Sequence, residues 1–229
     1  MRRFPVMLFA AGFGTRMGAL TQTMPKPLIP VAGRPLLDHA LDLCRADIVS
    51  HRVINLHYLG AQIARHLAGR EVALAYEDSI LETGGGLRAA LPLLGAGPVL
   101  TLNTDAVWSG QNPLAELAAA WDDMQMDALL LLAPLRHALG HKGTGDFLIN
   151  AAGQISRANG APGVIYVGAQ ILRTDRLADV AEPVFSVNLL WDQMIAEGRA
   201  YGLIHNGGWC DVGQPESIAL AERMLLHGG

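Results

Sequence analysis

The sequence predicts an α/β protein, with an open, mostly parallel mixed sheet and helices on both faces. Three observations predict it. Short apolar runs bounded by turn residues alternate with amphipathic stretches as far as residue 134, the rhythm of right-handed βαβ crossovers. Continuous apolar runs such as 128–134 read as strands buried on both faces, as parallel sheets require. Beyond Pro134 short strands follow one another without helices, which makes the sheet mixed. Such a sheet is Rossmann-like, and its ligands bind beyond the carboxyl ends of the strands.

Taken in order, residues 5–10 read as the first buried strand and 12–18 as a glycine loop. A proline-rich stretch over 25–35 leads to a helix over 36–46. Strand 51–57, helix 59–67, strand 71–76 and helix 86–94 follow, then strand 99–103, a helix over 113–126 and strand 128–134. The second half predicts strands over 146–150, 154–157 and 164–172. Helices over 187–196 and 216–226 follow, the latter started by Pro215. No Ser- or Gly-rich linker divides the chain, so 1–229 reads as one domain. Residues 1–134 and 135–229 read as its two halves, the second a C-terminal elaboration that carries the last helix.

Composition narrows the function. With 51% hydrophobic and 17% charged residues, the chain is not globally disordered. A net charge of -4 excludes a nucleic-acid or anionic-membrane partner, which needs a basic face, but permits a local phosphate pocket. Fifteen of the seventeen basic residues are Arg; the only lysines are Lys26 and Lys142. Cys44 and Cys210 make no disulfide framework, which points to the cytoplasm, and Cys44 reads as a small core hydrophobe. The basic start and apolar run to Ala11 imitate a secretory leader. Gly12 and Gly14 break that run and Arg16 follows, so no leader is expected. No run approaches the ~20 apolar residues of a membrane span.

The loop Gly12-Phe13-Gly14-Thr15-Arg16-Met17-Gly18 does not fit the dinucleotide fingerprint, because its third glycine comes one residue late and a proline-rich segment follows. No Gly-Lys-Ser/Thr ends it, so it is not a P-loop either. What remains is a turn whose amides, with a guanidinium, can cradle phosphate. Ala10 to Met17, Pro25-Lys26-Pro27-Leu28, Val31 to Leu36, Leu81-Glu82-Thr83-Gly84-Gly85-Gly86, Asn103-Thr104-Asp105 and Trp209-Cys210-Asp211-Val212-Gly213 together resemble, in order, the sugar-1-phosphate nucleotidyltransferases. The likeness covers essentially the whole chain. It is strongest toward the peptidoglycan-recycling uridylyltransferases that act on N-acetylmuramate 1-phosphate.

The resemblance implies a nucleotide-diphospho-sugar transferase fold and a reaction of an NTP, UTP favoured, with a sugar-1-phosphate. Arg16 and Lys26 would be the catalytic cations, and Asp105 and Asp211 would hold Mg²⁺. Ala11, Gly12, Gly14, Thr15, Glu77, Glu82, Thr83 and Gly84 would bind the nucleotide. The glycine turn would let backbone amides approach the base, with Thr83 as a helix cap in the alternative reading. Asn103, Gly145, Asp146, Tyr166 and Gly168 would bind the sugar phosphate. Glu77 stands where relatives often carry Gln. An ionised Glu only accepts, which suits uracil N3–H or the guanine edge, and a solvated surface Glu is the alternative.

Three departures stand out. Arg157-Ala158-Asn159 replaces a Glu-Lys-Pro, Thr104 replaces a Gly, and the proline expected after Arg16-Met17 is missing. His137 and His141 suit a metal only on a helix, and the glycines at 140, 143 and 145 predict a loop over the sugar site instead. The chain ends soon after Gln214, so no fused acetyltransferase repeat is expected. Competing readings are a mannose-1-phosphate-type guanylyltransferase, a phosphocholine cytidylyltransferase, a non-catalytic nucleotide-sugar sensor and, from the glycine loop alone, an NAD-binding oxidoreductase.

Overall fold

The computed structural model describes residues 2–227. Its parallel core is β1 (Phe4–Phe9), then a β2–β3 hairpin (Pro30–Val31, Arg34–Pro35), α1 (Leu36–Leu43), β4 (Val49–Leu56), α2 (Gly60–His66), β5 (Ala73–Tyr76), α3 (Glu82–Leu94) and β6 (Val99–Asn103). Next come β7 (Ala106–Gly110), α4 (Pro113–Ala120), β8 (Ala128–Pro134) and the short β9 (Ala138–Leu139), β10 (Phe147–Ile149) and β11 (Ile155–Arg157). The chain continues through β12 (Val164–Leu172), α5 (Asn188–Ala196), β13 (Ala200–Ile204), β14 (Gly207–Asp211) and α6 (Glu216–His227). The main sheet runs β11-β10-β12-β6-β1-β4-β5, with β8 on β12 and β13 on β8. Strands β6, β1, β4 and β5 are parallel; β12 opposes both β6 and β8, so the sheet is mixed as expected.

Period-two alternation builds a core on each face. Val6 and Leu8 of β1, with Leu129 and Leu131 of β8, join α1, α2 and α4 on one side. Met7, Leu130 and Leu132 join α3 and α5 on the other. A third cluster links Met17, Val31, Val107, Cys210, Val212 and Ala221 beneath α6. Burial pushes the Cys44 thiol up to about 12 and its Sγ donates to Ala40 O, which is core-hydrophobe behaviour.

Four expectations change. Helix α3 begins at Glu82, not 86, because Gly84 N and Gly85 N both donate to Phe185 O, at 2.9 and 3.0 Å. That carbonyl satisfies two of the N–H groups a helix start leaves unpaired. Helix α4 stops at Ala120, not 126, because Asp122 captures the Met124 amide in a local turn. Strands β2, β3, β7, β9, β13 and β14 were not expected. Residues 138–145 do not cover the sugar side: Gly140 packs on Asp211 O, and Lys142 Nζ donates to Gln214 Oε1 at 2.7 Å.

Candidate active site

The carboxyl ends of β1, β4, β5 and β6 open on a cavity of about 510 Å³, within the range of small-molecule sites. Ala11, Gly12, Gly14, Thr15, Arg16, Lys26, Glu77, Glu82, Thr83, Asn103 and Asp105 all line it. The glycine loop leaves β1 and tightens at Gly14, whose φ of 65° is left-handed. A Cβ there would sit 2.9 Å from the Lys26 Cβ, so this glycine serves both the turn and the packing of the lysine. Arg16 lies exposed on the loop and makes no ion pair among the described residues.

Lys26 is buried in a single turn between Pro25 and Pro27, and its Nζ lies 2.7 Å from Asp105 Oδ2. Asp105 and Asp211 meet through the antiparallel β7–β14 pair: Asp211 registers with Ala106, and Val212 N donates to Asp105 O at 2.9 Å. Burial, then the Asp105 charge, pushes the Asp211 carboxyl above the ordinary range, against the pull of Lys26, Arg16 and His141. A carboxylate raised in this way by a neighbouring carboxylate can share a cation with it. His137, by contrast, is exposed in a turn before β9, so the two histidines share no helix face.

Glu77 is buried, which rules out the solvated alternative. Its Oε1 accepts from Asn55 Nδ2 at 2.7 Å and its Oε2 from Leu81 N at 3.2 Å. Asn55 Oδ1 accepts from Ala10 N at 2.8 Å, so one buried chain ties the glycine loop to the start of α3. Asn55 escaped the sequence reading, since nothing in a strand pattern marks one amide as a strut.

The three consecutive glycines also gain a different reason. A Cβ at Gly84, Gly85 or Gly86 would lie 2.4–2.6 Å from the Phe185 ring, Pro183 O or Glu77 Oε1 respectively. The Gly84 and Gly85 amides are taken by Phe185 O, and Gly84 does not line the cavity. Thr83 caps nothing; its Oγ1 accepts from Val187 N at 2.9 Å.

A second cavity of about 290 Å³ adjoins the first and shares Phe9, Glu82, Thr83 and Asn103 with it. Asp146 and Tyr166 line it, and Asp146 Oδ2 accepts from Tyr166 N at 2.9 Å. Gly168 and Gly145 do not line it. Gly168 (φ 83°) admits the Asn103 side chain, which a Cβ would meet at 2.9 Å, and Gly145 packs on the Gly163 backbone. The sequence reading missed Gln170 and Trp191. Trp191 Nε1 donates to Gln170 Oε1 at 2.8 Å, which fixes the orientation of the buried amide and leaves its Nε2 as a donor. No helix among the described residues is long and apolar enough to cross a membrane.

Residues 6–141 match the MobA-like NTP transferase domain. The N-acetylmuramate alpha-1-phosphate uridylyltransferase of Caulobacter vibrioides is 39% identical over 233 residues, 96% of each chain. The protein of the same name from Neisseria meningitidis serogroup B is 34% identical over 215 residues, 90% of this chain and 92% of that one. In fold, HddC from Yersinia pseudotuberculosis, complexed with GMP-PN, superposes with a TM-score of 0.74 at 20% identity. That match covers 97% of this chain and 99% of the other. A Bacillus anthracis structure assigned as a glucose-1-phosphate thymidylyltransferase, in complex with a sucrose, gives 0.78 at 16%, over 96% and 94%. Motifs, sheet topology and relatives agree, and the chain belongs to the MobA-like NTP transferase family.

Proposed function

We propose that this nucleotidyltransferase moves a uridylyl group from UTP to N-acetylmuramate 1-phosphate in cell-wall sugar recycling, releasing pyrophosphate. The observation that carries it is one cavity that gathers Arg16, Lys26 and Asp105 and opens into a second, carboxylate-bearing cavity sized for a sugar. The names of the two full-length relatives support the substrates. Two buried free thiols suit a cytoplasmic setting.

In the reaction an oxygen of the sugar phosphate attacks the α-phosphorus, and the bond from that phosphorus to the β-phosphate oxygen breaks. Little proton transfer is needed, so positioning and charge neutralisation dominate. Arg16, without a protein partner, holds the departing β- and γ-phosphates. Lys26, a compact ammonium in a fixed slot, neutralises the α-phosphate. Asn103 stands between the cavities and orients the acceptor, with Asp146 taking a sugar hydroxyl. Asp105 and Asp211 fit Mg²⁺, which takes one or two carboxylates and completes its shell with water and phosphate oxygens. Bound there, the ion would spread the charge that builds on the phosphates.

Pyrophosphate release is measured with UTP, GTP, CTP and dTTP against N-acetylmuramate 1-phosphate, N-acetylglucosamine 1-phosphate, mannose 1-phosphate and phosphocholine, with Mg²⁺ or with chelator. UTP with the muramate is expected to be fastest, and chelator to silence it. No release from any pair overturns the reading. Glu77 supports a second reading, because an acceptor in the first cavity also suits the guanine edge. The GTP arm decides between them.

A further inference from the structure

The second cavity has one cationic side chain in its lining, Arg157, standing where the resemblance led one to expect Glu-Lys-Pro. Its guanidinium is held from several sides. It lies 4.9 Å from the Phe147 ring centroid and 5.6 Å from that of Trp191. Nε donates to Asp192 Oδ1 at 2.7 Å, and Nη2 donates to Asn188 Oδ1 at 2.9 Å. Trp191 is itself pinned to Gln170. Among the described residues nothing accepts from Nη1, which is not one of the buried orphaned atoms and so remains accessible.

A fork fixed by two rings, a carboxylate and an amide, with one corner free, is built to receive a planar anion. Hydroxyl groups do not require it, since Asp146 and Gln170 already supply an acceptor and a donor in the same cavity. The existing Asp192 partner is 60% exposed, so water screens its hold on the guanidinium and an incoming carboxylate can share it.

We propose that Arg157 selects an acceptor that carries a carboxylate besides its 1-phosphate, over the same sugar without it. The inference rests on the sugar-1-phosphate reading above and names the second anionic group that this cavity recognises. A muramate is such a sugar, because its lactyl ether ends in a carboxylate.

The test compares N-acetylmuramate 1-phosphate with N-acetylglucosamine 1-phosphate in one protein, by kcat/KM with UTP and by calorimetric binding without turnover. The wild type is expected to prefer the acidic acceptor by ~10-fold or more, the worth of one charge-assisted hydrogen bond. Arg157→Gln should compress that ratio by a similar factor, chiefly through KM, and Arg157→Lys should restore part of it. Because the ratio is taken within each variant, partial misfolding cancels. Equal losses for both acceptors, or an unchanged ratio, overturn the proposal. Preferential binding of the acid without nucleotide-sugar formation would sink the transferase reading and keep the Arg157 assignment. Turnover with no preference would do the reverse.

Discussion

The two edges of the main sheet treat charge in opposite ways. At the edge away from both cavities, Asp127 precedes β8 and meets three arginines: Arg199 at 2.9 Å, Arg176 at 3.2 Å and Arg173 at 3.3 Å. Glu197 and Asp123 complete the network on the outer sides of Arg176 and Arg173. At the carboxyl edge, Arg16 and Glu82 have no ionic partner among the described residues, and Asp211 has a like charge beside it. One edge spends its charges on the fold. The other pairs Lys26 with Asp105 but leaves Arg16, Glu82 and Asp211 without an ion pair among the described residues, an arrangement that suits a polyanion and its counter-cation.

If that contrast is right, substitutions at the two edges fail differently. The largest effect belongs to Asp105→Asn. The amide can still face Lys26, but the charge opposite Asp211 is gone, so kcat should fall by ~10³ or more while Tm moves only a few degrees. Activity within tenfold of wild type would break the comparison at its centre. Lys26→Arg comes next, at ~10²-fold in kcat. The slot is bounded by the Gly14 backbone and flanking prolines, and a planar fork cannot take the place of a point charge there. Unchanged kcat and KM would reduce Lys26 to an ordinary cation.

At the opposite edge, Asp127→Asn should cost stability and leave turnover within about twofold. Burial raises the Asp127 pKa, but Arg199, Arg176 and Arg173 outweigh it and hold the carboxyl below the ordinary range. A depressed pKa stabilises the fold above the unfolded value near ~4, and that contribution disappears as pH falls through the folded value. The pair network lies between an exposed and a fully buried one, which suggests about 2 kcal/mol, or about 4–8 °C in Tm at pH 7. Thermal melts of wild type and variant should converge on the acid side. A constant gap down to pH 2.5 would assign the loss to packing instead.

How much of this was legible depended on whether a feature is carried by neighbours in sequence. The glycine loop, Pro25-Lys26-Pro27 and Asn103-Thr104-Asp105 are local motifs, and all of them reach the first cavity. Strands β6, β8 and β12 matched to the residue, because both faces of each are buried and the apolar run is continuous. Strands β7, β13 and β14 were missed because Trp108-Ser109-Gly110, Tyr201-Gly202 and Gly207-Gly208 carry no apolar run. Their pairing is decided by the partner strand. Yet β7 and β14 are what bring Asp105 to Asp211. The Glu82 glycines were read as open amides, when their partner Phe185 lies a hundred residues away and no local pattern announces it. The second cavity fared worst, since Arg157, Gln170 and Trp191 come from three separate elements.

The smallest expected effect probes that second cavity directly. Asp146 is exposed, and one of its oxygens accepts from Tyr166 N at 2.9 Å, while the other has no partner among the described residues. In Asp146→Asn the amide oxygen can keep the Tyr166 bond, so neither β12 nor the Tm should change measurably. The free oxygen becomes an NH₂ group, a donor where a sugar hydroxyl wants an acceptor. KM for the sugar-1-phosphate should rise ~5-fold, the worth of one hydrogen bond, with kcat and the KM for UTP unchanged. A rise in the UTP KM instead would mean that the two cavities do not divide nucleotide from acceptor. Asp146 would then belong with Glu82 at their shared rim.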